Sequence, residues 1–87
     1  MGNLEKTKIE RQFTIVADND TASALQELAE RCTFAHKHNG GYSSHGVLDV
    51  SSLLKMLADD AAMVITRPGS WEGANLAQVL SSHAYEV

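Results

Sequence analysis

Cysteine, proline and positive charge are all scarce in this sequence, and each scarcity removes a class of protein. A single cysteine, Cys32, rules out an internal disulfide and with it the disulfide-stapled secreted scaffolds. Lys and Arg together number seven against eleven Asp and Glu, and the formal net charge is −4. The basic residues are spread thinly, so no positive stripe exists for a phosphate backbone and nucleic acid is not an expected partner. No apolar run is long enough to span a membrane, and the first residues lack the apolar centre of a signal peptide. The expectation is a cytoplasmic protein without membrane attachment.

What remains is ordinary globular material. The 87 residues are 44% hydrophobic and 21% charged, enough for one packed core and no more. Residues 1–10 mix charge with a lone Ile9 and show no period, which marks them as a flexible lead-in to a domain over 11–87.

Periodicity then divides the domain. Phe13, Ile15 and Ala17 alternate with Thr14 and Val16 in RQFTIVA, the pattern of a strand. Asp18-Asn19-Asp20 is a helix-capping cluster, followed by Leu25, Leu28, Ala29 and Cys32 on one helical stripe. TFAHKHN over 33–39 alternates as a second strand, Gly40-Gly41 signals a hairpin turn, and GVLD over 46–49 suits the returning strand. Asp49 or Ser51 caps a two-turn helix carrying Val50, Leu53, Leu54 and Leu57, which ends at Asp59-Asp60. AAMVITR over 61–67 is apolar and β-branched enough for a fourth strand before Pro68-Gly69. Ser70 caps a last helix with Leu76, Ala77, Leu80 and Ala84 on its stripe. The expected class is α+β, an open-faced sandwich of order βαββαβα with three helices on one face of a four-stranded antiparallel sheet.

That order, at this length, resembles the histidine-containing phosphocarrier (HPr) family of the bacterial phosphotransferase system. RQFTIVADNDTASALQEL is similar to the family's first strand, active turn and first helix. LDVSSLLKML resembles its regulatory segment, and TRPGSWEGANLAQVL its last strand and final helix. The resemblance covers residues 11 to about 83. It implies that Ala22 stands where the family carries its phosphorylated His and Ala24 where it carries the phosphate-binding Arg. A methyl group has no lone pair for phosphoryl transfer, so the resemblance implies a non-catalytic relative, not an enzyme, with no cofactor.

By the same resemblance Ser52 is a candidate phosphorylation site, with Ser51 beside it. Either serine is equally suited to cap the following helix. Ser23, Ser52, Leu53 and Met56 mark the implied surface for a protein partner, while the oligomeric state is not fixed by these patterns. Read from the residues alone, His36 and His38 leave one face of the expected strand about 7 Å apart, with His45 across the hairpin. They are weak candidates for a metal site, or for carrying phosphate in place of the missing histidine, against the simpler reading as solvated strand residues. Cys32 reads as a small core residue, and Trp71 as a packing staple or an exposed binding anchor.

Overall fold

Three residues with side-chain oxygens, Asp18, Asp49 and Ser70, open three helices. In the computed structural model, which describes residues 9–87, these are α1 (Asn19–His38), α2 (Val50–Thr66) and α3 (Trp71–Ser82). Asp18 accepts from the Thr21 amide, Asp49 from Ser52 and Ser70 from Gly73, so each cap satisfies an amide that has no partner within its helix. Residues 9–18 form neither helix nor strand and lead into α1, with the cap residue Asp18 itself extended. Of the expected lead-in, residues 1–8 lie outside the described residues.

The expected α+β sandwich is overturned: among the described residues there is no strand and no sheet. Each of the four expected strands has a different fate. Residues 33–39 continue α1 through His38, because a helix already nucleated gains one hydrogen bond for each residue added. The stripe Leu25, Ala29, Cys32, His36 holds the same period through the join, and all four side chains are at least partly buried. Residues 61–66 continue α2 in the same way. Asp59-Asp60 does not end that helix; Asp59 instead pairs with Lys55 one turn earlier, at 2.7 Å. Val64, Ile65 and Thr66 are β-formers only where a pleated, half-buried surface awaits them, and none does here.

Pro68 stops α2 where the sequence marks a break. It disfavours helical geometry at Arg67, whose φ of −146° and ψ of 67° leave the helix. Residues 46–49, expected as a strand, form the end of a loop, and residues 11–17 form no strand and are unpaired among the described residues.

The loop from Asn39 to Asp49 replaces the expected hairpin. Asn39 Oδ1 accepts from the amides of Gly41 and Tyr42, and its Nδ2 donates to Ser43. Gly40 and Gly41 follow with φ of 78° and 82°, which only glycine adopts at little cost. The loop ends at Leu48, which enters the core beside Ala29 of α1 and Leu53 of α2, with Leu25, Cys32 and Met56 packed around them. Cys32 thus has the place the sequence gives it. The contact of α2 with α3 is more extensive than that with α1. It turns on Gly73: a Cβ there would lie 2.6 Å from the Met63 carbonyl oxygen and 2.8 Å from that of Arg67. The two helices approach backbone to backbone.

Candidate functional site

Residues 11–17 carry the densest run of β-branched and aromatic side chains in the first third of the chain, and they lie beside two helices. Phe13 and Ile15 face Leu54 and Leu57 of α2 across an open cleft of about 560 Å³. Ile15 and Leu54 also line an adjoining cleft of about 340 Å³ that reaches Leu25 of α1 and Val50. The alternation is that of a strand: odd positions turn to the helices, whereas Val16 is 95% exposed. No backbone amide or carbonyl of residues 11–17 is hydrogen-bonded to another backbone group among the described residues.

The clefts are incompletely filled. Phe13 remains 84% exposed, Ile15 66% and Leu57 38%, whereas the core proper consists of Ala29, Leu48 and Leu53. Single exposed apolar residues are normal on a surface, but a contiguous group facing one cleft is the usual mark of an interaction site. Lys55, which also lines the cleft, is paired with Asp59, and the other lining side chains carry no charge.

Both ends of this region are fixed by acidic caps. Hydrogen bonds from the backbone amide and then the side chain of Thr21 hold the Asp18 carboxyl below its ordinary value. The backbone amide and hydroxyl of Ser52 do the same for Asp49. Asp49 and Ser52 form a reciprocal capping box: Asp49 Oδ1 accepts from the Ser52 amide at 2.8 Å, and Ser52 Oγ accepts from the Asp49 amide at 2.9 Å. A phosphate on Ser52 would displace this arrangement and sit against the Asp49 carboxylate; Ser51 is exposed and free of that bond.

The structure disperses most residues singled out by sequence. Ala22, Ser23 and Ala24 lie in the first turns of α1, all exposed. Leu53 is 2% exposed and belongs to the core, so it presents no surface, while Met56 packs against that core. His36 and His38 are on a helix, not on the expected strand, and two residues of helix turn their side chains well apart. His38 stacks edge-on against Phe34 with centroids 4.0 Å apart. The His36 ring is covered by Gly41 and Gly46, with Nδ1 enclosed and without a hydrogen-bond partner. His45 Nδ1 is 2.7 Å from Ser44 Oγ on the exposed loop. Among the described residues no three His, Cys, Asp or Glu side chains converge as a metal site would require, so the histidine hairpin has no counterpart.

Sequence reasoning missed the cleft because it placed Phe13 and Ile15 in a finished sheet. It also missed Thr33, whose hydroxyl bonds the Leu48 backbone, and Gly73. A glycine inside a helical pattern was the available signal for a close approach at 73.

No protein-family model matches this chain, and no match was found among curated proteins or solved structures. No helix among the described residues is long and apolar enough to cross a membrane.

Proposed function

We propose that this chain is a non-catalytic protein-binding module that engages its partner through the cleft between residues 13–15 and α2. The observation that carries this reading is the exposure of Phe13, Ile15 and Leu57 around one largely apolar cleft, next to a core of three buried hydrophobic residues among the described ones. A domain this small gains much of its stability from whatever covers such a surface. Ser51 stands at the rim of the cleft, where an added phosphate would alter the charge of the binding surface. A cytoplasmic setting belongs to this reading, on the strength of the lone cysteine.

A catalytic reading has less to stand on. The Ser44 and His45 pair is the nearest approach to a nucleophile and base, but both are exposed and no third group orients the ring among the described residues.

Site-specific photo-crosslinking in the source cell tests the proposal. With a photoreactive residue at Leu57 the expected result is a discrete protein adduct, absent when the same residue replaces exposed Gln78 on α3. Adducts at Gln78 alone, or equally at both positions, would overturn it.

A further inference from the structure

The loop between α1 and α2 opens on Asn39 and Gly40, a pair that is chemically reactive as well as turn-forming. The amide nitrogen after an asparagine can attack that asparagine's own carboxamide and close a succinimide ring, and a glycine in second place leaves the approach free of a Cβ. The Gly40 amide makes no backbone hydrogen bond among the described residues, so its nitrogen is uncommitted. In the closed loop the ring does not form. Closure requires the Gly40 nitrogen to eclipse Asn39 Cβ, and at the Asn39 ψ of 19° it is turned away. Asn39 Oδ1 is held by the Gly41 and Tyr42 amides at 3.1 and 2.9 Å, and Nδ2 donates to Ser43 Oγ at 2.9 Å. The closed loop, however, carries a cost of its own. Gly41 and Gly46 cover the His36 ring, whose Nδ1 is enclosed without a partner, and opening returns that atom to water. Opening also restores the freedom that Gly40, Gly41 and Gly46 give up when the loop is ordered.

We infer that Asn39 is a site of spontaneous modification, deamidation through a succinimide, whose rate is set by opening of residues 39–48. The Gly40 nitrogen gives up its proton and bonds to Asn39 Cγ, the Cγ–Nδ2 bond breaks, and Nδ2 departs as ammonia. Water then opens the ring at either carbonyl, giving aspartate or isoaspartate, so that asparagine and water become an acid and ammonia. Both products place a carboxylate at the C-terminal end of α1, where the helix dipole disfavours negative charge. In isoaspartate the main chain runs through the former side chain, and the carbonyl that accepted from Gly41 and Tyr42 becomes backbone. The loop loses the bonds that shape it after α1, which loosens its hold on Leu48 in the core. No step involves Phe13, Ile15 or α2, so the inference stands apart from the binding reading.

The test keeps the full chain in mildly alkaline buffer and follows it by peptide mapping with mass spectrometry. The expected result is a growing pair of products, aspartate and isoaspartate at position 39, each heavier by the exchange of an amide for an acid. Asn19 and Asn75 are internal controls. Both are exposed, but Asp20 and Leu76 follow them and both lie in helices, so conversion there should be at least severalfold slower. Ser43→Ala removes the bond to Nδ2, and Thr33→Val releases the Leu48 end of the loop. With helices verified by circular dichroism, each should speed conversion at position 39 severalfold. Chymotrypsin should cut the isolated isoaspartate form after Tyr42 severalfold faster than the parent. No conversion at 39, conversion at 19 or 75 as fast, or aspartate without isoaspartate overturns the site. An unchanged rate in either variant that keeps its helices overturns control by the loop, and equal cleavage of the two forms overturns the structural consequence.

Discussion

Thr33 and Leu48, fifteen residues apart, exchange two hydrogen bonds through one hydroxyl: Thr33 Oγ1 accepts from the Leu48 amide at 2.9 Å and donates to the Leu48 carbonyl at 3.0 Å. The side chain of a helix residue thereby takes the place of a neighbouring strand and lets a loop residue enter the core with its backbone satisfied. Thr33→Val keeps the shape and removes both bonds. Leaving these partly buried groups unpaired costs about 1–3 kcal/mol. Urea unfolding should show that loss in Thr33→Val and little of it in Thr33→Ser; equal midpoints for Val and the parent would contradict the role assigned to the hydroxyl.

Leu53 is the most enclosed large side chain in the described structure. Truncation of a buried leucine to alanine costs about 2–5 kcal/mol, depending on how far the site collapses. With Ala29 and Leu48 the other buried core residues among those described, Leu53→Ala should abolish the cooperative thermal transition at moderate temperature. A melting curve within a few degrees of the parent would mean that the core lies elsewhere.

Gly73→Ala sets two effects against each other. Alanine improves helix propensity by about 1 kcal/mol. The new methyl, however, meets the Met63 and Arg67 carbonyl oxygens well inside contact distance, and these are backbone atoms that cannot turn aside. Overpacking of this kind costs about 1–3 kcal/mol, so the net effect is destabilising. The Tm of Gly73→Ala should fall, and Asn75→Ala, exposed two residues on, should leave it nearly unchanged. An increase for Gly73→Ala would show that α2 and α3 are farther apart than described.

Acid should loosen the helix starts first. Asp18 and Asp49 are held below the ordinary carboxylate value of 3.8 by their capping bonds. A carboxyl depressed in the folded state contributes fully above its unfolded value and loses that contribution as pH falls through the folded one. Helicity should therefore be flat from neutral pH to about 5 and decline below 4. Asp49→Asn, which still accepts a hydrogen bond but does not titrate, should be less acid-sensitive than the parent. An identical acid profile for the two would remove Asp49 from the account.

The helix starts were legible because a cap is a local signal. Asp18, Asp49 and Ser70 are each followed by an apolar stripe, and all three open a helix where the sequence places it. The helix ends were not legible in the same way. TFAHKHN and AAMVITR alternate or cluster like strands, but strand preference has force only where other strands exist to pair with. Each run follows a nucleated helix, and propagation prevailed in both. The likeness to the phosphocarrier family gave these short runs a sheet to belong to, and the absence of any sheet among the described residues removes that support for the site it implied. The cleft itself was half visible: Phe13 and Ile15 share one side as their alternation implies, but the strand expected of them does not form, and Leu54 and Leu57, which they face, were assigned to a helix covering a sheet.

The link between α2 and α3 spans only four residues, Arg67 to Ser70, whereas α1 joins α2 through eleven. Closing a short connection sacrifices less chain entropy, so the pair on the carboxyl-terminal side can assemble while α1 is still searching for its place. In pulse-labelling by hydrogen exchange, amides around Met63 and Leu76 should be shielded early and those around Ala29 late. Selection on this chain would then bear unequally on its two halves, with Gly73 and Pro68 governing whether it folds and Phe13 and Ile15 governing what it meets afterwards.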